Sequence, residues 1–288
     1  MKFFASVIVV MLWAAGAGPA GAAITLGNAQ GGSSLFLSVW DNTRQVSYTR
    51  NLGYTLNTFL PSGLTTLATD GSPYGTPVTG DKTPAAGLSI VFPPGSSTLF
   101  ETAFSGSNPA NLRWNVAAYD NLSNPAAGLS RVITTASAAP QPTNAGIDNI
   151  VTGGWNYLGA LISDSPILTQ DAVTTFDPNR PSYAGNANWG NNLNGGGIES
   201  AATGLTSTIA FYYLARSTEA GAGPDAATLL PYGANGIAAT WSLAADGTAT
   251  YSLAAVPLPA SAWLFMAGVG AFAGLARRGK AAKRTPSV

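Results

Sequence analysis

The 288-residue chain carries 13 basic and 13 acidic side chains, no cysteine and no histidine. Lack of cysteine excludes a disulfide framework. Lack of histidine excludes Ser-His-Asp and Cys-His nucleophile arrangements and removes the commonest zinc ligand. The zero net charge conceals two unlike parts. Five cations crowd into residues 277–284, whereas the body between the two ends holds seven basic against all thirteen acidic residues, a net charge of −6. An acidic body with scattered arginines argues against nucleic-acid binding, which needs a basic patch.

The N-terminal stretch has the parts of a secretory signal. Lys2 is a one-charge n-region, residues 3–15 form an apolar h-region, and Ala20-Gly21-Ala22 offers a small-residue cleavage site, with Ala23 as a close alternative. Residues 1–23 are therefore expected to be a signal helix removed on export. A first hairpin follows. The near-continuous apolar run 35–40 reads as a buried strand, Asp41-Asn42-Thr43 supplies turn chemistry, and residues 45–50 return in strict alternation with Val46 and Tyr48 on the inward face.

Residues 61–87, rich in Pro, Gly, Thr and Asp, read as a loop. Strands are predicted at 88–92, 99–104, 112–119 and 129–135. Leu112, Trp114, Val116 and Ala118 share one face of the third. Residues 145–163 break this rhythm. Ile147, Ile150, Val151, Trp155, Leu158, Leu161 and Ile162 recur at helical spacing, so one helix is expected to cover an end or edge of the sheets. Gly153 and Gly154 weaken it by about 2 kcal/mol against alanines.

Residues 164–204 form a long polar stretch containing Tyr183, Trp189 and three consecutive glycines after Asn194. A connection of this length is usually functional or poorly ordered. Strand signal resumes at 209–214. A last hairpin then pairs 240–245 with 248–253 around Asp246-Gly247, a two-residue turn, with Trp241, Leu243, Tyr251 and Leu253 facing the core. The fold expected for residues 24–255 is a mainly β, sandwich or jelly-roll-like domain with one packed α-helix.

Candidate chemistry in this body is sparse. The glycine clusters 27–32 and 195–197 lack the Lys-Ser/Thr and the strand-to-helix setting of a phosphate loop. Asp41-Asn42, Asp120-Asn121 and Asp148-Asn149 could offer oxygen ligands to calcium, but they are also the ordinary residues of strand-end turns. No cofactor or metal is implied. Asp164, Asp171, Asp177 and Glu199 in or beside the long loop are the carboxylates that could run glycoside hydrolysis without histidine. Trp189, expected in an exposed loop, is the candidate for contact with a glycan.

The C-terminal segment carries the sharpest signal. Val256-Pro257-Leu258-Pro259-Ala260 precedes an uncharged run, residues 260–276, long enough as a helix for roughly 25 Å of a bilayer core of about 30 Å. Arg277, Arg278, Lys280, Lys283 and Arg284 follow, a block that the positive-inside rule keeps on the cytoplasmic side. A short proline motif, one apolar span and a basic cluster in this order resemble the PEP-CTERM class of bacterial sorting signals, in its VPLPA-CTERM variant. The resemblance covers residues 256–284. It implies that an exosortase, a membrane-embedded protease-transpeptidase of Gram-negative bacteria, removes the tail after export. It also implies a link to exopolysaccharide and biofilm. Residues 33–60 more weakly resemble the opening of uncharacterised proteins bearing such signals, which implies no activity. The expected function is thus a non-catalytic protein of the cell surface or extracellular matrix, with the membrane and the exosortase as partners. Its rivals are a secreted carbohydrate-active enzyme and a glycan-binding adhesin module.

Overall fold

The computed structural model describes residues 24–27, 32–59, 89–94, 98–121, 130–138, 140–164, 172–216, 223–231, 233–234 and 237–253. The first hairpin, β1 (Ser34–Asp41) and β2 (Val46–Thr55), closes through Asp41, whose Oδ1 accepts the N–H groups of Thr43 and Arg44. The remaining strands are β3 (Ser89–Phe92), β4 (Arg113–Asn121), β5 (Ser130–Ala136), β6 (Ala172–Thr175), β7 (Ala202–Thr203), β8 (Thr208–Ala215), β9 (Thr228–Pro231), β10 (Gly233–Ala234), β11 (Ile237–Ala238), β12 (Thr240–Leu243) and β13 (Ala249–Ser252). Three helices are described: α1 (Leu56–Phe59), α2 (Leu99–Phe104) and α3 (Asn144–Asp164).

The mainly β class and the packed helix agree with the sequence reading, but the layers are not made from two stacked sheets. An eleven-stranded antiparallel sheet runs in the order β3-β13-β12-β8-β5-β4-β1-β2-β6, with β7 added beside β4 and β9 beside β8, while β10 and β11 form a separate ribbon. This sheet curls, bringing strands from its two ends together. Arg50 of β2 donates to the carbonyl of Pro93 just after β3, and the rings of Tyr54 and Phe92 lie 6.0 Å apart.

Period-two alternation assigns each strand's side chains to the two faces of the curl. On the concave side stand Leu37, Val39, Tyr48, Trp114, Val116, Ile133, Phe211, Trp241 and Tyr251, all buried. Trp241 is ringed by Phe59, Phe92, Phe211 and Tyr251 at centroid distances of 5.9, 5.3, 5.7 and 5.4 Å. Each such ring, fully buried, contributes about 2–3 kcal/mol from apolar transfer. The stretch 99–104 is helix α2 and not the strand expected. Phe100, Ala103 and Phe104 recur at helical spacing and bury one face, and Phe100 meets Tyr48 edge-on at 5.3 Å.

The convex side is covered by α3, whose Ile147, Ile150, Val151, Tyr157, Leu158 and Leu161 pack over Ala117, Tyr119, Val132 and Leu214. The helix therefore lies on the face of β4, β5 and β8, not at an end or edge of the sheet as the sequence reading placed it. Its glycines explain the close approach. A Cβ on Gly154 would stand 2.5 Å from the Tyr119 ring, and one on Gly153 2.3 Å from the Asn188 carbonyl oxygen. The propensity they lose is offset by packing that no side chain would permit.

The last hairpin keeps its expected inward face, with Trp241 paired to Tyr251 and Leu243 to Ala249. Its loop is one residue longer than the two-residue turn read from Asp246-Gly247. Ala244 N–H donates to the Thr248 carbonyl, leaving three residues between them, with Gly247 at φ +85°. A left-handed third position is the usual solution for a three-residue hairpin loop.

Candidate functional site

The long stretch after α3 is an ordered cover on the convex face. Between Asp177 and Trp189 successive tight turns are closed by backbone bonds from Arg180 to Asp177, Tyr183 to Arg180, Asn186 to Tyr183 and Trp189 to Asn186. Leu193, Asn194 and Gly195 all adopt positive φ, which winds the chain back toward α3. There the Asn194 amide donates to the Asn149 carbonyl at 2.9 Å.

Trp189 is fully buried, which overturns its reading as an exposed glycan contact. Its ring stacks on Tyr157 at 5.4 Å with planes 5° apart, touches Phe36 at 5.1 Å, and its Nε1–H donates to Asn115 Oδ1 at 3.3 Å. Tyr183 is buried too, donating its hydroxyl to the Asp41 carbonyl. An indole amid a polar sequence reads as exposed only while the partners waiting on the sheet are unknown.

Those partners are polar groups on β1, β2 and β4 pointing to the convex side, joined by Thr135 of β5. The Tyr157 hydroxyl bonds with Ser38 and Thr49, and the Asn115 amide donates to Ser200, whose carbonyl accepts from Thr135. The Ser47 hydroxyl accepts the Ala184 N–H. Burial pushes the Tyr157 phenol up to about 12, against the opposing bonds from Ser38 and Thr49. Tyr183 is pushed up to about 12 by burial and then by the charge of Asp41. Both phenols therefore stay neutral and act as hydrogen-bonding pegs. Apolar periodicity does not reveal such a polar set. Its signal was the recurrence of Ser38, Ser47, Thr49 and Asn115 at alternate positions within otherwise apolar strands.

The carboxylates singled out for glycoside hydrolysis are dispersed among unlike partners. Asp164 accepts from Arg180 and Ser182 at 2.7 Å each, and Asp177 shares the same arginine at 3.7 Å. Glu199 accepts instead from the Ser137 hydroxyl, and Asp171 lies outside the described residues. The Asp-Asn pairs likewise serve the scaffold. Asp41 builds its turn, Asp120 pairs with Arg131 in the core, and Asp148 of α3 pairs with Arg216 after β8. Partial burial alone would raise Asp41, but bonds from Ser107 and the Arg44 and Thr43 N–H groups, with the Arg44 charge, hold it below the usual carboxylate range. Burial raises Asp120, with the Arg131 charge and hydrogen bond opposing. Among the described residues no group of three or more acidic side chains is gathered as for a metal.

Residues 60–88, the signal stretch with Ala22 and Ala23, and the C-terminal segment with Val256, Pro257, Leu258, Pro259, Ala260, Arg277, Arg278, Lys280, Lys283 and Arg284 lie outside the described residues. Among those described, no helix is long and apolar enough to cross a membrane. Leu253, three residues before Val256, is buried in the concave core directly after β13. No family model, no curated protein and no solved structure matches this chain.

Proposed function

We propose that this chain is a non-catalytic exported protein of the cell surface or extracellular matrix. Residues 260–276 would hold it in the inner membrane, and an exosortase would process it at or near residues 256–260. The observation that carries this reading is the C-terminal order of proline motif, charge-free run and cations, paired with an N-terminal stretch of secretory type. A charge-free run ended by five cations is expelled from water at one part and barred from translocation at the next, which defines a stop-transfer segment.

A non-catalytic body is supported by the work its charged groups already do. Arg131, Arg180 and Arg216 each engage carboxylates of the body, and the aromatic rings of the long loop are spent on packing. The association with exopolysaccharide rests on the family resemblance alone.

The reading is tested by the intact mass of the protein recovered from the outer surface of its native host. A mass ending near residues 256–260, with or without an added group, is expected. Retention of Arg277 and everything after it, with the protein in the inner membrane, would replace sorting with a plain single-span anchor.

A further inference from the structure

We propose that, while the tail is uncut, one end of the curled sheet is held facing the bilayer and the opposite end is displayed outward. This rests on the sorting reading above and adds an orientation to it.

The first ground is tether length. Leu253 is locked in the concave core, and β13 is paired on both sides, Ser252 standing opposite Thr240 of β12 and Ser89 of β3. From Leu253 to Ala260, where the apolar run begins, the chain spans at most about 25 Å fully extended. A compact body of residues 24–255 is about 45 Å across. A tether that short cannot reach around the body, so the body cannot turn over unless β13 is stripped from the sheet. Stripping it would expose Tyr251 and Leu253 and take from β3 its described partner.

The second ground is independent of the tail. Passing from β1 through β4, β5, β8 and β12 to β13, every pairing is antiparallel, so the start of β1 and the end of β13 lie at the same end of the sheet. The new N-terminus is fastened there. Ile24, next to the expected signal cleavage, is buried on the convex side, and Thr25 exchanges backbone and side-chain hydrogen bonds with Ser34 at the start of β1. Both proteolytic events therefore meet the body at one end. The turns at Asn42 and Ala245 crown the other, the latter about 20 Å from Leu253 along β13.

The occupant facing the tethered end is thus a lipid headgroup surface, set by geometry and not by specific contacts. The absence of cysteine makes the test direct. Single cysteines are placed at Ser89→Cys, exposed at the tethered end, and Ala245→Cys, exposed in the far turn. The full chain is expressed in cells lacking the processing enzyme, and intact spheroplasts are treated with a maleimide carrying a bulky polymer. Ala245→Cys is expected to label and Ser89→Cys to be protected. A Gly/Ser insert of twenty residues between Ala254 and Ala255, adding about 25 Å of mean reach, should abolish the protection. Equal labelling of the two cysteines in membrane-held protein overturns the orientation, as does protection that the insert leaves unchanged. If the uncut chain is instead recovered free of the membrane, the sorting reading itself is wrong and the orientation falls with it.

Discussion

The two faces of the sheet are filled by different means. On the concave side, rings and aliphatic chains from consecutive strands interlock around Trp241, and Asp120 is buried among them paired with Arg131. On the convex side a helix and an irregular cover are pinned by hydroxyls, amides and one stacked pair of rings, Tyr157 on Trp189. An apolar interior needs only the right side chains on the right face. A cover without regular structure must also satisfy its own backbone, and hydrogen bonds to the sheet do this while fixing its path. The concave core is accordingly expected to set global stability, and the convex one the order of residues 182–201.

The strongest blow to this contrast is Trp241→Ala, which removes the ring that four others touch. A cost of about 3–5 kcal/mol is expected, seen as one cooperative loss of the whole sheet in chemical denaturation. Trp189→Ala deletes a ring of equal size, yet a smaller loss is expected at the global midpoint, about 2 kcal/mol, because the cover can open while the sheet persists. Hydrogen exchange should show early exposure of residues 182–201 alone. Equal and global effects from the two substitutions would mean that the faces unfold as one.

Smaller again is Tyr157→Phe. It keeps the stack on Trp189 but removes the bonds to Ser38 and Thr49, for an expected loss of about 1 kcal/mol. A neutral result would show that the hydroxyl peg adds nothing beyond its ring.

The smallest effect is one of pH and has opposite signs at two carboxylates. Asp41, held below the usual range in the folded state, contributes stability above its unfolded pKa and loses it as the pH falls through its folded value. Asp120, raised by burial, does the reverse: its contribution grows as the pH falls through its elevated folded value. Relative to wild type, Asp41→Asn should become less costly with acidification and Asp120→Asn more costly, as read from urea midpoints on the acid side of neutrality. Parallel pH profiles for the two variants would refute the assigned environments.

Much of the concave core was legible in the chain. The alternation of Leu112, Trp114, Val116 and Ala118, and of Trp241, Leu243, Tyr251 and Leu253, names residues that do face inward. Helix α3 was legible from the spacing of Ile147 to Leu161, though not its seat on the sheet, because a glycine reads as a propensity loss until the ring opposite it is known. The misreadings share one cause. Residues 99–104 are too short for periodicity to separate strand from helix. Trp189 has no periodic neighbours at all, so composition alone spoke for it, and composition favoured exposure. Of the candidate sites, the carboxylates near the long loop were visible as residue types, whereas the capture of Asp164 by Arg180 and of Glu199 by Ser137 depends on contacts distant in sequence.

By itself, then, the sequence determined the class of the body, the inward face of its regular strands, and the resemblance of its C-terminal segment to a sorting signal. These rest on local patterns: period two, period 3.6, and an uninterrupted apolar run bounded by charge. Tertiary structure alone decided that eleven of the described strands join in one curled sheet, that the polar stretch after α3 is a pinned cover, and that residues 24 and 253 emerge at one end. Strand order and the pairing of distant polar groups are fixed by which surfaces can be buried together, a condition on the whole chain that no local window contains.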